Sequence, residues 1–572
     1  MSHIPCTYPP TGEIFDKIPI STPEDVQTAH KEMARAARIW GKKPTHERVR
    51  IMRKLQNLLV DSLDDITKAI SRDTGKSRQD ALAETFVMID VLSYYCRNAE
   101  KWLRRERVGR DLFVFKQGYV EHRPWGVVAI LAPFNYPFNL AMVPAISALL
   151  AGNTVMLKPS EATAGTGKLI EELFQRVPEL SPFIRVLHGD GSTGAAMIES
   201  VPDFIFLTGS APTALKIQET AYKHLIPTAF ELGGKDPSIV LEDANIAEAA
   251  KWSVWGAFFN AGQTCMGVER VYVLDGVYDE FVEEAIRITK QMRMGHTLRA
   301  ESPYHLGTLT TPRQVEIVDE HVQDAVQQGA RILVGGRRDG MFYEPTIIVD
   351  VTNDMRIMQE ETFGPVLPIM KVKNEAEAIR MANDSEFGLG ATVWSDNLRR
   401  GERLARQLEA GTVVLNDAIS QFAIPTLPFG GGKRGSGTGV THGKAGLMTF
   451  THPAAVTVGN TPHPLDIATF LRKPGQYRWM KAVIQFVFGT TLEQKTAPVH
   501  EILRDARAGS SLTMLAHKVE DIEPAQKNEQ HRAHKTKLHE MSTSSTLKKL
   551  AAASALGAIS ALAFSLLRKG DA

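Results

Sequence analysis

The chain has 572 residues, too many for one hydrophobic core, which stops growing near ~250–300 residues; 43% hydrophobic and 23% charged residues are ordinary for a soluble globular protein. Lys and Arg number 66 against 65 Asp and Glu, and the resulting net charge of +1 gives no global pull toward nucleic acid or membrane. Three cysteines, Cys6, Cys96 and Cys265, make neither a disulfide framework nor a Cys-x-x-Cys metal signature, and suit a reducing compartment.

Residues 1–20 carry four prolines and no charged-then-apolar leader pattern, and read as an extended arm. Ser21-Thr22-Pro23-Glu24 is a helix start, with a cap, Pro in the first turn and an acid. Helical periodicity follows over 24–40, 45–71 and 77–105. Residues 110–123 change character, with Leu112, Val114 and Tyr119 flanking Gln117-Gly118, and read as a hairpin. From Gly126 short apolar runs (127–131, 154–157, 184–187, 204–207) alternate with helical stretches (140–151, 164–176, 194–200). That alternation predicts a parallel, doubly wound sheet with a nucleotide at its carboxyl edge, and a second alternating set runs from 238 to about 424.

Within this frame, two glycine-flanked side chains can do chemistry. Glu231 stands in Phe230-Glu231-Leu232-Gly233-Gly234-Lys235, and Cys265 follows Gly262-Gln263-Thr264, 265 − 231 = 34 residues later. A predicted helix over 244–260 is long enough to bring both back to one cleft. A lone Cys is usually a small buried hydrophobe, so the surroundings decide. A thiolate attacks a carbonyl carbon, and a nearby base can activate water to hydrolyse the thioester.

Both flanks resemble the two signature motifs of the aldehyde dehydrogenase superfamily. Pro133-Phe134-Asn135-Tyr136-Pro137, Lys158-Pro159-Ser160-Glu161, Glu361-Thr362-Phe363-Gly364-Pro365 and Leu427-Pro428-Phe429-Gly430-Gly431 follow in the family's order, and the resemblance covers roughly 21–453. It implies an α/β fold with two doubly wound parallel-sheet domains: a cofactor-binding domain (1–231) and a catalytic domain (232–425), the active site lying between them. The 110–123 hairpin then joins a β oligomerisation extension, and 426–460 ends the catalytic core and the oligomerisation region. Thr441-His442-Gly443-Lys444 looks like the class containing fatty aldehyde dehydrogenases, and implies a homodimer.

The resemblance implies roles residue by residue. Cys265 is the nucleophile, and Asn135 with the Cys265 backbone N–H stabilises the oxyanion; alone, Asn135 reads equally well as a turn residue. Glu231 is the base that releases the acid, its pKa raised by apolar Phe230 and Leu232. CoA-acylating relatives typically lack that base, so Glu231 favours hydrolysis over acyl-CoA formation. The strand before Lys158 and Glu161 puts them where an adenine ribose would lie, and a carboxylate there tilts the cofactor toward NAD, with NADP also used by relatives. Gly209 and Ser210 present N–H groups to a pyrophosphate at a helix start. Glu361 corresponds to the residue on the nicotinamide ribose, and Phe363 to the one near that ring. The family's second glycine is replaced by Ala214, and Pro212 is unusual in the turn. No metal is expected.

Beyond 460 the resemblance fades into a linker (461–546) in which Trp479, Phe486 and Phe488 interleave with Lys473, Arg478 and Lys481. Residues 550–567 are eighteen without charge, between Lys548-Lys549 and Arg568-Lys569. At ~1.5 Å per residue they span about 27 Å, enough for a thin bilayer core. Ala553, Gly557, Ala561 and Ser565 form a stripe suited to helix contact in lipid. The expectation is a transmembrane anchor over 547–569 that leaves the catalytic domains in the cytoplasm. The whole reads as an NAD(P)-dependent aldehyde dehydrogenase acting on an aldehyde, with the lipid-derived kind favoured by the anchor. Its rivals are a CoA-acylating enzyme and a membrane-tethered scaffold without catalysis.

Overall fold

Val127–Leu131, buried at every position, is the middle strand of a five-stranded parallel sheet ordered Ile184–Val186, Thr154–Lys158, Val127–Leu131, Phe204–Thr208, Thr228–Glu231. A strand buried on both faces must be a continuous apolar run, and Val-Val-Ala-Ile-Leu is one. The computed structural model describes residues 2–109, 116–459 and 476–497. The chain divides into two units, Met1–Glu106 with Tyr119–Val456, and Arg107–Gly118 with Thr457–Ala572. The first holds both parallel sheets. Successive strands run outward from Val127–Leu131 in one direction and then the other. The crevice between Val127–Leu131 and Phe204–Thr208 is therefore the switch point where such sheets hold ligands.

The second sheet has seven strands, ordered Arg331–Val334, Thr346–Val349, Val366–Val372, Val268–Leu274, Asp236–Val240, Gly390–Trp394, Thr412–Leu415. All neighbours are parallel except the first pair. Helix Ile246–Phe258, capped by the Asn245 side chain on the Glu248 N–H, packs on this sheet and leads into the Cys265 loop.

The N-terminal helices follow their signals. Pro23–Trp40 starts in a capping box between Thr22 and Asp25, and Arg78–Leu103 starts from Ser77. The single helix expected over 45–71 is instead two, Thr45–Asp61 and Leu63–Thr74, parted at Ser62 (φ −103°, ψ 13°). The break lets both pieces pack on Arg78–Leu103, which one straight rod would not.

Two local expectations are corrected. Residues 1–20 are no loose arm: His3–Tyr8 and Glu13–Pro19 pair antiparallel and turn through Gly12 at φ +75°. Their alternation buries Ile4, Cys6 and Ile18 against Ala164, and the prolines are tolerated because each strand of a two-stranded ribbon has a free edge. Gln117 and Gly118 are not a turn either. They lie inside the strand Lys116–Pro124, next to Glu106–Val108 in its sheet. A Cβ at Gly118 would meet the Val108 side chain at 2.4 Å, which explains a glycine within a strand. Leu112 and Val114 lie outside the described residues.

Candidate active site

Cys265 sits on a loop whose backbone is bent by three successive residues at positive φ: Asn260 (54°), Ala261 (53°) and Gly262 (75°). A Cβ at Gly262 would lie 2.1 Å from the Gly364 carbonyl, so only glycine lets the loop pass there. The other two pay strain that the surroundings must hold in place. The Asn260 amide donates to the carbonyls of Asn135 (3.0 Å) and Gln263 (3.1 Å), and Gln263 Oε1 accepts from the Thr310 N–H (2.9 Å). Asn135, 3% exposed, donates its own amide to the Gln263 carbonyl at 3.1 Å, two residues before Cys265. The Tyr136 hydroxyl meets Thr264 Oγ1 at 2.7 Å. The Pro133–Pro137 turn and the cysteine loop are thus tied together.

Glu231 ends the strand Thr228–Glu231, 5% exposed, with neither carboxylate oxygen hydrogen-bonded. Burial alone pushes its pKa well above the usual carboxylate range. The glycine-rich segment after 426 closes over it: Thr438 and Gly439 donate to the Phe230 carbonyl (2.9 and 2.8 Å), and a Cβ at Gly439 would lie 3.0 Å from Glu231 Oε1. Burial raises the Cys265 thiol too, with the charges of Glu361, Asp236 and Glu231 adding to it.

Two buried lysine–glutamate pairs hold the surrounding loops. Lys76 Nζ bonds Glu84 (2.9 Å) and the Asn135 carbonyl (2.6 Å), while Glu84 Oε1 accepts from the Phe138 and Asn139 N–H groups (2.8 and 3.0 Å). Lys235 Nζ bonds Glu269 at 2.7 Å, and Glu269 accepts from the N–H groups of Thr362 (3.2 Å) and Phe363 (2.9 Å). One pair fixes the Asn135 turn and the other the Glu361–Phe363 turn. Sequence reasoning missed Lys76, Glu84 and Glu269, which read as ordinary helix and strand residues; no local pattern marks them.

A groove of about 750 Å³ runs past Lys158, Glu161, Gly209, Ser210, Glu361, Phe363, Asn135 and Cys265. Lys158 Nζ reaches Glu161 at 3.1 Å. Helix Ala211–Lys223 opens at Ser210, whose side chain makes no cap bond, so the first N–H groups remain available to an anion. Ala214 turns away from the groove into the core, 4% exposed beside Leu207 and Ile217. The alanine therefore leaves the anion cradle clear. Glu361 accepts from the Gly234 N–H at 3.1 Å, and its pKa is raised to about 8, first by burial and then by Glu269. A Cβ at Gly233 would lie 2.4 Å from the Glu361 carboxylate. Volume, free helix N–H groups and glycine clearance fit a dinucleotide.

Cys265 also lines a second, narrow cavity of about 20 Å³, with Glu231, Leu140, Val143, Leu389, Phe422, Phe429, Asn139 and His442 around it. Phe422 lines this cavity, Met266 and Trp255 back it in one apolar cluster with Cys265, and Tyr136 is not among its lining residues. Thus the thiol stands where an apolar cavity meets a dinucleotide-sized groove.

The aldehyde dehydrogenase family profile matches residues 1–456. The chain is 38% identical to 4,4'-diapolycopene aldehyde oxidase of a Methylomonas species, over 86% of this chain and 92% of that protein. It is 36% identical to a putative succinate-semialdehyde dehydrogenase [NADP(+)] of Mycolicibacterium smegmatis, over 83% and 92%. Among solved structures, an NAD-dependent aldehyde dehydrogenase from Sinorhizobium meliloti superposes with TM-score 0.77 at 32% identity, covering 82% of this chain and 93% of the other. Lactaldehyde dehydrogenase from Escherichia coli does so with 0.76 at 31%, covering 80% and 96%. With a family match over most of its length and the α/β fold of these neighbours, this chain belongs to the aldehyde dehydrogenase family, enzymes that oxidise aldehydes with NAD or NADP.

Proposed function

We propose that the chain oxidises an apolar, lipid-derived aldehyde to its carboxylic acid through a thioester on Cys265. The observation that carries this reading is the position of Cys265 on both cavities, with Glu231 in the narrow one and Asn135 in the groove. Cys265 attacks the aldehyde carbon and forms a thiohemiacetal. The developing oxyanion takes the remaining Asn135 amide hydrogen and the Cys265 N–H. The bound nicotinamide nucleotide supplies a hydride acceptor, held by Lys158, Glu161, Gly209, Ser210, Glu361 and Phe363. Glu231 then takes a proton from water, the water oxygen bonds to the thioester carbon, and the carbon–sulfur bond breaks to free the acid. A base of raised pKa is suited to that transfer near neutral pH.

The substrate class rests on the lining of the narrow cavity. Its walls are mostly aliphatic and aromatic, and no Lys or Arg is among them. A substrate with a second carboxylate would meet no cation there, whereas a hydrocarbon chain gains about 0.8 kcal/mol per CH₂ by leaving water. At about 20 Å³ the cavity is far smaller than a hydrocarbon chain, so its walls set only the apolar surroundings of the reacting end. A relative named 4,4'-diapolycopene aldehyde oxidase supports this reading.

The proposal includes a homodimer and attachment to a membrane through 547–569, with the catalytic core in the cytoplasm. That tail, Lys473 and the side chains of Trp479 and Phe486 lie outside the described residues, among which no helix is long and apolar enough to cross a membrane. The support is the uncharged run and its basic flanks. A turnover screen over aldehydes of rising chain length, with NAD and NADP in parallel and with and without CoA, tests the reading. Activity that rises with chain length and yields free acid supports it. Preference for succinate semialdehyde, or an acyl-CoA product, contradicts it.

A further inference from the structure

His442 is fully buried, and neither ring nitrogen has a hydrogen-bond partner. Buried imidazoles normally have their nitrogens satisfied, so this is an unspent pair of polar atoms. The ring is pinned on purpose. Its backbone lies at φ 58°, ψ 172°, a region glycine favours, between Thr441, whose N–H and carbonyl both pair with Phe429, and Gly443, whose N–H bonds the Pro425 carbonyl. The ring packs on Phe422 at 4.6 Å. Burial lowers its pKa to about 4, so at neutral pH it is uncharged, with one N–H to donate and one lone pair to accept.

Two other residues that line the same narrow cavity carry orphaned polar atoms: both carboxylate oxygens of Glu231 and Oδ1 of Asn139. Three segments distant in sequence therefore send unpartnered polar groups to one enclosure that Cys265 also lines. The enclosure's volume, about 20 Å³, exceeds the ~10–15 Å³ that one water needs, and a buried water needs two to four polar partners. Glu231 and Asn139 offer acceptors, and neutral His442 offers one donor and one acceptor.

We propose that His442 is a positioning residue for hydrolysis: with Glu231 and Asn139 it seats the single water that attacks the Cys265 thioester. The proposal rests on the reading of Glu231 as the base. Glu231 takes one proton, the water oxygen forms the bond to the acyl carbon, and the sulfur leaves as thiolate and is reprotonated. His442 does not itself change protonation; it holds the oxygen in line. Acyl transfer to Cys265 needs no water, so it is untouched by the loss of the imidazole.

The test compares the full-length enzyme with His442→Phe, which keeps a ring on Phe422, and His442→Gln, which keeps polar atoms. Octanal and NAD are mixed with each, and the octanoyl group on Cys265 is followed by quenched-flow mass spectrometry. The expected result for His442→Phe is hydrolysis of the octanoyl-enzyme slower by about tenfold or more, with partial recovery in His442→Gln, the acylation rate of each variant being read separately. Hydroxylamine, a nucleophile that brings its own lone pair, should cleave the acyl-enzyme equally fast in all three. Hydrolysis within twofold of parental in both variants overturns the proposal. So does failure of both to acylate, or equal slowing toward hydroxylamine, since either places His442 outside water positioning. Glu231→Gln is run beside them: hydrolysis at the parental rate there would sink the base itself, whatever His442 does.

Discussion

Burial first, and then the neighbouring carboxyl groups, push the Cys265 thiol above its usual range, so on the proposed route attack depends on a proton acceptor and on the oxyanion donors at the moment of reaction. Cys265→Ala should lower aldehyde oxidation by about 10³-fold or more, because the covalent route is lost. Cys6 and Cys96 are buried in other clusters, and alanine there should leave NADH formation close to parental. Glu231 has a raised pKa, and only its ionised form accepts a proton from water. Thioester hydrolysis should therefore climb with pH above the usual carboxylate range, and a flat profile in stopped flow would count against Glu231 as the base. Cys265, Glu231 and Asn135 were singled out in the sequence by motifs that resemble the family's, and the structure gathers them around the groove and the narrow cavity, where their roles are the proposal's. His442 and Ala214 were legible as part of a motif and as a departure from one. Their consequences were not, because these depend on what faces each side chain.

At the scale of elements, four of the five strands of the first sheet were readable to within a residue or so, since a fully buried parallel strand is a short uninterrupted apolar run; Thr228–Glu231 was not read as a strand. The break at Ser62 was not, because apolar periodicity continues through it and only packing on Arg78–Leu103 requires the bend. The lysine–glutamate pairs are the clearest case of what sequence hides. Each joins residues that gain meaning only by burial, 2% or less exposed at both side chains for Lys76 and Glu84. Removing one partner of a buried pair leaves a charge uncompensated, at about 3–5 kcal/mol. Lys76→Met should cost stability of that order in denaturant unfolding. It should also reduce kcat more than it raises KM, since the proposed role of Asn135 is to stabilise the oxyanion. An unfolding midpoint equal to the parent would show that the pair does not hold the turn.

For the whole molecule, several buried carboxylates carry folded-state pKa values above their unfolded ones: Asp236 to about 7 and Glu361 to about 8, both chiefly through burial. The folded chain then keeps protons that the unfolded chain has released, so stability falls as pH rises through those values. Histidines whose pKa is lowered by burial, such as His442 and His296, act the other way, but only below their ordinary value of 6.5. Between about pH 7 and 8.5 the carboxylates decide, and Tm should drop. Glu361→Gln should shrink that drop; an unchanged slope would show that Glu361 ionises normally. The proposed anchor makes a separate demand. Deleting 547–572 should free the protein from membranes and slow oxidation of a long-chain aldehyde in vesicles, while a short soluble aldehyde is unaffected. Continued sedimentation with membranes would rule the anchor out. The central claim, a thioester on Cys265 resolved by Glu231, meets its most direct test in Glu231→Gln mixed with octanal and NAD. One burst of NADH and an octanoyl group accumulating on Cys265 are predicted; steady turnover at the parental rate with no acylated Cys265 would contradict the account.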